Sequence, residues 1–179
     1  VQFGVEISYS LEEKALGTAG PVGLMKDNLD DDFIVMNGDL LTSLKYKRLM
    51  DFHLSNKADA TIAVHKRSVS IDYGVLTFDE NNLLHEYREK PKLNYQVSMG
   101  INVLNRDAVA PFVKADEFLD IPDLMKILVE EGKKVICYEE DCEWLDIGRI
   151  DDYEEASIVF ESNPDKFLDT SNDIEISGK

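Results

Sequence analysis

The chain has 179 residues, 44% of them hydrophobic, and carries 36 Asp and Glu against 19 Lys and Arg, a formal net charge of −17. That length and composition suit a globular domain with a sizeable core. The charge argues against nucleic acid and anionic membrane as partners, since both reward clustered Lys and Arg, and no apolar stretch reaches membrane-spanning length, so a soluble, cytoplasmic protein is expected.

Near the start, Val5, Ile7 and Tyr9 alternate and predict a short strand leading into residues 11–14. Gly17-Thr18-Ala19-Gly20-Pro21 reads as a loop opening a helix to about Asn28. The most telling stretch is FIVMNGDLL (33–41), an apolar run that stops at Asn37-Gly38-Asp39. Such a run predicts a strand buried on both faces, typical of a parallel sheet. Asn-Gly is also a strong hairpin signal, but the next segment has helical rather than strand periodicity. After Thr42 and Ser43, the residues Tyr46, Leu49, Met50 and His53 recur at helical spacing, which predicts an amphipathic helix with a hydroxyl N-cap. ATIAVH (60–65) reads as a second buried strand, and the strand–helix–strand order predicts a parallel pair with a right-handed crossover.

The middle changes character. YGVLTF (73–78) and LLHEYRE (83–89) flank the polar turn Asp79-Glu80-Asn81-Asn82 and predict an antiparallel hairpin. VSMGINVL (97–104) predicts another strand. Gly74 and Gly100 each interrupt a strand, which points to a bulge or a close approach of ligand to backbone. A helix begins at Ile121: Asp120 caps it, Pro122 sits in its first turn, Ile121, Leu124, Met125 and Leu128 form its apolar stripe, and Gly132 ends it. Short strands are expected at 134–138 and 142–147. A last helix is marked by Tyr153, Ala156, Ser157 and Phe160 and stopped by Asn163-Pro164. Residues 170–179 are polar and read as a tail or linker beyond a domain spanning 1–169. The architecture expected is α/β, a mostly parallel sheet joined to a mixed hairpin region, with further strands needed beside the buried ones.

In open α/β sheets ligands bind beyond the carboxyl ends of the strands, where Asp39 falls. Asp146, in Trp144-Leu145-Asp146-Ile147-Gly148, likewise sits at a strand end before a helix. Two such carboxylates converging on one crevice suit Mg²⁺, a hard cation that keeps substrate phosphates in its shell. In a chain with 36 acidic residues that pairing alone is a weak signal. Lys90, in Glu89-Lys90-Pro91, ends a strand either as a phosphate contact or as an exposed solubilising charge. Gly17, Thr18, Ala19 and Gly20 offer either backbone N–H groups to a ligand or a tight turn. Cys137 and Cys142 lack the His or Cys cluster of a zinc site and read as a reduced pair. His53 is expected to pack on a helix face; His65 and His85 are scattered singly, and none of the three is given chemistry.

In this order LGTAG (16–20), FIVMNGD (33–39), YGVL (73–76), EKP (89–91), SMGINVL (98–104) and WLDIGRIDDY (144–153) resemble the sugar-phosphate nucleotidyltransferases, most closely those of mannose-1-phosphate guanylyltransferase type. The resemblance runs over nearly the whole chain. It implies a Rossmann-like nucleotide-binding sheet with a sugar-binding insertion, and a reaction of NTP with sugar 1-phosphate giving NDP-sugar and pyrophosphate. It implies Mg²⁺ held by Asp39 and Asp146, and catalytic roles for Asp39, Lys90 and Asp146. The nucleotide would lie at Gly17, Thr18, Ala19, Gly20 and Gly38, and the sugar phosphate at Gly74, Glu89, Lys90 and Gly100. A second copy of the chain is the one macromolecular partner considered.

The departures are specific. Family members begin with a strand and a loop of the form GGxGTRLxPLT, followed later by PKP, and neither occurs in residues 1–179. That loop wraps the triphosphate, and its Arg stabilises charge on the leaving pyrophosphate. The expectation is therefore an N-terminally truncated stretch of a longer enzyme, inactive in isolation. The alternative is a non-catalytic regulatory or assembly domain derived from the same fold. A glycosyltransferase of related topology would hold metal through a DxD pair, which Asp39-Leu40-Leu41 is not. Ser98 and Asn102 stand where the family frequently has Asn and Tyr, and neither base nor sugar is set by the sequence.

Overall fold

The computed structural model of the protein describes residues 6–148 and 150–168. Its elements are α1 (Gly20–Met25), β1 (Asp32–Met36), β2 (Leu40–Thr42), α2 (Tyr46–Asn56), β3 (Ala60–Ser70), β4 (Val75–Phe78), β5 (Leu84–Arg88), β6 (Lys92–Asn105), α3 (Arg106–Val109), α4 (Ile121–Glu130), β7 (Val135–Glu139), β8 (Trp144–Asp146) and α5 (Ile150–Ser162). Short 3₁₀ turns continue α1 over Lys26–Asn28 and follow α5 over Pro164–Lys166.

The central sheet has the order β1-β6-β3-β7. β6 pairs antiparallel with β1 and with β3, while β3 and β7 are parallel. β1, β3 and β7 share one direction and β6 runs against them, so the α/β fold expected is present with a mixed central sheet, in which one of the three neighbouring pairs is parallel. One detail is corrected: the strands at 32–36 and 60–70 run parallel but are not neighbours, because β6 lies between them. β6 can take that central place because it is apolar on both faces, with Ile101 and Val103 on one side and Leu104 on the other.

Two cores result. On one face Val22 of α1, Val109 of α3 and Leu124, Met125 and Leu128 of α4 pack on Phe33, Ala60 and Leu104. On the other, Leu44, just before α2, and Leu49 of α2 pack on Ala63, Met99, Ile101 and Val103, with Trp144 of β8 against the same cluster. His53 is buried in α2, as its helical spacing predicts. Its Nδ1 lies 2.8 Å from Thr61 Oγ1 and its Nε2 lies 3.1 Å from Asp32 Oδ1, tying the helix to β3 and β1.

Several local expectations are corrected. β1 is not buried on both faces: Phe33 is buried but Met36 is 43% exposed, because β1 is an edge strand whose free flank borders a cavity. Residues 6–10 form no strand, since nothing among the described residues pairs with them; Val5 and residues 170–179 lie outside the described residues. Gly74 precedes β4 rather than interrupting it. The N-cap of α2 is Lys45, with no side-chain cap, because Thr42 and Ser43 are taken up by Glu143. Asp120 holds the N-cap position of α4 but does not cap it. Its Oδ1 accepts from the N–H and hydroxyl of Thr18 at 3.0 and 3.2 Å, and Thr18 Oγ1 in turn accepts from Ile121 N–H at 2.8 Å. A local cap contributes about 1 kcal/mol. Burying Leu124 and Leu128, both fully inaccessible, contributes about 3–6 kcal/mol together, so tertiary packing dictates this arrangement. The β4–β5 hairpin forms as predicted, and Cys137 and Cys142 are free thiols.

The expected irregularity at Gly100 is a bulge. The β3–β6 register passes from Ile62↔Asn102 to Val64↔Ser98, so Met99, Gly100 and Ile101 stand opposite Ala63 alone. Gly100 has φ +72°, and a methyl there would lie 2.8 Å from Asn37 Nδ2. Its carbonyl accepts the N–H of Asn37 at 3.0 Å, so the bulge seats the turn that carries Asp39. Gly100→Ala should cost about 1–2 kcal/mol from the left-handed backbone alone, with the clash against Asn37 added. A denaturant midpoint equal to that of the parent protein would contradict this account.

Candidate active site

Sequence places Asp39 and Asp146 far apart, and a two-stranded ladder joins them. β2 pairs antiparallel with β8 in the register Leu40↔Asp146, Leu41↔Leu145 and Thr42↔Trp144. Beyond one end of the ladder, Ile147 N–H donates to the Asp39 carbonyl at 2.9 Å. Beyond the other, Ser43 N–H donates to Glu143 O at 3.1 Å, Glu143 N–H donates to Ser43 Oγ at 3.0 Å, and Thr42 Oγ1 donates to Glu143 O at 2.8 Å. Both ends of this short ladder are therefore fastened, which compensates for its having only three residues per strand.

The consequence is visible over Gly148. A methyl placed there would be 3.2 Å from Asp146 Oδ1 and 3.3 Å from Asp39 Oδ2. Laid end to end, those distances put the two carboxylate oxygens within about 6.5 Å of each other. Asp146 Oδ1 is oriented further by the N–H of Gly148 at 3.1 Å. Gly148 was missed from sequence. Its signal was present in WLDIG, where the residue two beyond the carboxylate has no side chain to fill the gap. Among the described residues no group of three or more His, Cys, Asp or Glu is placed to hold a metal. Two hard carboxylate oxygens facing one open space do fit Mg²⁺, which commonly takes one or two protein carboxylates and completes its shell with water and phosphate oxygens.

Two cavities meet this pair. The first, about 790 Å³, is lined by Gly17 and Thr18 at one end and by Asn37, Gly38 and Asp39 at the other, with Val22, Met25 and Leu29 forming an apolar wall. The second, about 630 Å³, contains Asp146 in its wall. Both volumes are within the range of small-molecule sites. Gly38 stands in open space.

Within the LGTAG loop the four residues divide. Gly17 and Thr18 line the first cavity, whereas Ala19 and Gly20 are buried against the loop before α4. The amides of Ala19 and Gly20 donate to Leu119 O at 2.8 and 3.0 Å, and that of Thr18 to Asp120. These N–H groups are committed internally and are not available to a phosphate, so of the two readings of this loop the tight turn holds. Gly17, at φ +76°, makes that turn possible: a methyl would lie 2.6 Å from Leu119 O.

The hairpin residues are not assembled with the aspartates. Glu89 and Lys90 are exposed beyond β5. Glu89 accepts from the Tyr87 hydroxyl at 3.1 Å, and the same Tyr87 ring covers Gly74, where a methyl would lie 2.5 Å from its oxygen. Lys90 is held at φ +43°, with its N–H on Tyr73 O at 3.3 Å. Its ammonium has no ion-pair partner among the described residues. Between the His65↔Val97 rung and the Ser70↔Lys92 rung lie five ladder steps, about 16 Å at the usual strand rise.

The fold is α/β, and comparison with known proteins fixes the family. The chain belongs to the Nucleotidyl transferase family, whose model matches residues 1–163. It is 30% identical over 166 residues to a mannose-1-phosphate guanyltransferase of Saccharomyces cerevisiae, covering 89% of this chain and 45% of that one. It is 35% identical over 109 residues to the mannose-1-phosphate guanylyltransferase catalytic subunit beta of Drosophila melanogaster, covering 58% and 30%. The chain thus spans less than half the length of these curated relatives. Among solved structures, HddC from Yersinia pseudotuberculosis shares the fold at a TM-score of 0.60 and 23% identity, covering 83% of this chain and 64% of that one. The same protein complexed with GMP-PN gives a TM-score of 0.57 at 21% identity, with the same coverage. No helix among the described residues is long and apolar enough to cross a membrane.

The open space over Gly148 yields a direct expectation. Gly148→Val would crowd both carboxylate oxygens without touching a core residue. Mn²⁺ affinity, followed by electron paramagnetic resonance, should fall at least threefold while the circular dichroism spectrum is retained. Unchanged affinity would mean that the ion does not occupy this space.

Proposed function

We propose that this chain carries the metal-binding and substrate-binding part of a sugar-1-phosphate nucleotidyltransferase, joining an NTP to a sugar 1-phosphate to give an NDP-sugar and pyrophosphate. The observation that supports it most is the convergence of Asp39 and Asp146 over Gly148, each in the wall of a different cavity. The guanylyltransferase relatives favour GTP and mannose 1-phosphate as the pair to try first.

In this reading a phosphate oxygen of the sugar 1-phosphate attacks the α-phosphorus of the nucleotide in line, and the bond to the pyrophosphate oxygen breaks. An ionised phosphate needs no general base, so the protein's task is to position two anions. Asp39 and Asp146 would hold Mg²⁺, which when bound supplies charge neutralisation between the two substrates' phosphates. Gly17, Thr18 and the apolar wall beyond them would seat the base and ribose in the first cavity, with Gly38 leaving room for the phosphates. Lys90, Glu89, Gly74 and Gly100 are the hairpin and bulge positions assigned to the sugar phosphate. With a net charge of −17, a protein that binds two anions depends on the cation and on a few placed basic groups.

Two measurements test this. In the complete gene product, Asp39→Ala and Asp146→Ala should each reduce NDP-sugar formation by about 10²–10³-fold, with thermal unfolding unchanged. A near-normal rate in either variant would remove that carboxylate from the metal site. The polypeptide of residues 1–179, which contains no GxGTRL segment, should release no pyrophosphate from any NTP and sugar 1-phosphate; measurable turnover would overturn the role given to that loop.

A further inference from the structure

Among the described residues, β4 and β5 pair only with each other, apart from the central sheet and from the β2–β8 ladder. Two strands alone are marginal in water and need a further layer against their apolar face. The hairpin's register sets Leu76 opposite Tyr87 and Phe78 opposite Leu84, while Thr77 stands opposite Glu86. Side chains alternate across a strand and opposed residues share a face. One face is therefore apolar, built of Leu76, Phe78, Leu84 and Tyr87, and the other is polar. All four apolar residues are exposed, Phe78 to 63% and Tyr87 to 59%, and none belongs to either core. Tyr87 is fixed on this face, its hydroxyl donating to Glu89 at 3.1 Å and its ring lying over Gly74.

Two aromatics, two leucines and no charge are the make-up of the centre of a protein–protein interface. With Tyr73 and Leu83, exposed at the hairpin's two ends, the face offers on the order of 700 Å² of apolar surface, more than a soluble monomer usually leaves open. An identical face on a partner doubles this to about 1,400 Å², the size of a stable, specific interface. The surrounding charges do not select a partner of opposite sign, because they are answered within the hairpin: Arg88 lies 3.5 Å from Glu86, and His85 lies 3.6 Å from Asp79. A flat two-stranded face of this kind is complementary to itself, since two copies can stack about a two-fold axis at the usual sheet spacing of about 10 Å.

We propose that the apolar face of the β4–β5 hairpin is a dimer interface, covered by the same face of a second copy of this chain across a two-fold axis. The dimer is independent of the reaction proposed above. Each copy carries a net charge of −17, so the two repel and the apolar contact has to overcome that repulsion. Salt screens it, and the dimer therefore tightens as ionic strength rises. An association held by ion pairs would loosen instead.

Sedimentation velocity of the 179-residue chain over about 1–100 μM should show the mass rise from one chain to two, with tighter association in added NaCl. Phe78→Asp, which sets a carboxylate against its own copy, should weaken the dimer at least tenfold, with circular dichroism unchanged. Thr77→Asp adds the same charge on the opposite face and should leave the association within twofold of the parent. Hydroxyl-radical labelling of the unsubstituted chain needs no variant to fold: labelling of Phe78 and Tyr87 should fall as the dimer forms. A mass of one chain throughout, a dimer that Phe78→Asp leaves intact or that salt weakens, or labelling of Phe78 and Tyr87 that does not change with association would overturn the proposal. So would a complete gene product of one chain's mass in which both residues are protected at every concentration, since the rest of that polypeptide would then cover the face.

Discussion

The site depends on the pairing of β2 with β8. Each strand has only three residues, and a ladder that short does not hold itself together in water. It is held by what lies at its ends: the Ile147 amide on Asp39 O at one, and the mutual bonds of Ser43, Thr42 and Glu143 at the other. Trp144 adds packing against the second core. Because Leu40 stands opposite Asp146, the carboxylate just before β2 and the one ending β8 face the same space. A cation shared between the two aspartates requires that register. A slip of one residue would turn Asp146 to the other face of the ribbon.

Around this ladder the fold separates two environments. The Gly100 bulge supports the Asn37 turn from below and, through Met99 O, also fixes the indole of Trp144. One irregular point in β6 thus bears on a residue in the wall of each cavity, Asn37 in the first and Trp144 in the second. On one side lies an apolar wall ending in Asp39; on the other lie Trp144, Leu145 and Asp146 of β8.

Much of this was legible in the sequence, and what was not has a common cause. The apolar runs at 33–36 and 60–65, the hairpin around Asp79, and the α4 stripe of Leu124, Met125 and Leu128 all arise from local periodicity. The ends of FIVMNGD and WLDIG marked Asp39 and Asp146 before any pairing was known. Strand order was not legible, because nothing within 92–105 says that it inserts between β1 and β3. The capping of α4 by Thr18, the binding of Thr42 and Ser43 to Glu143, and the role of Gly148 are contacts between segments about a hundred residues apart, and such contacts leave no local pattern. The amides of the LGTAG loop misled for the same reason: free by sequence, they are spent on Leu119 and Asp120.

The central claim is that Asp39 and Asp146 hold one cation between them. Anomalous diffraction from crystals grown with Mn²⁺ and a nucleoside triphosphate tests it most directly. The account predicts a single strong peak in the space over Gly148, coordinated by oxygens of both carboxylates directly or through one water. A peak on only one aspartate, or a site elsewhere in the first cavity with both carboxylates unengaged, would contradict it.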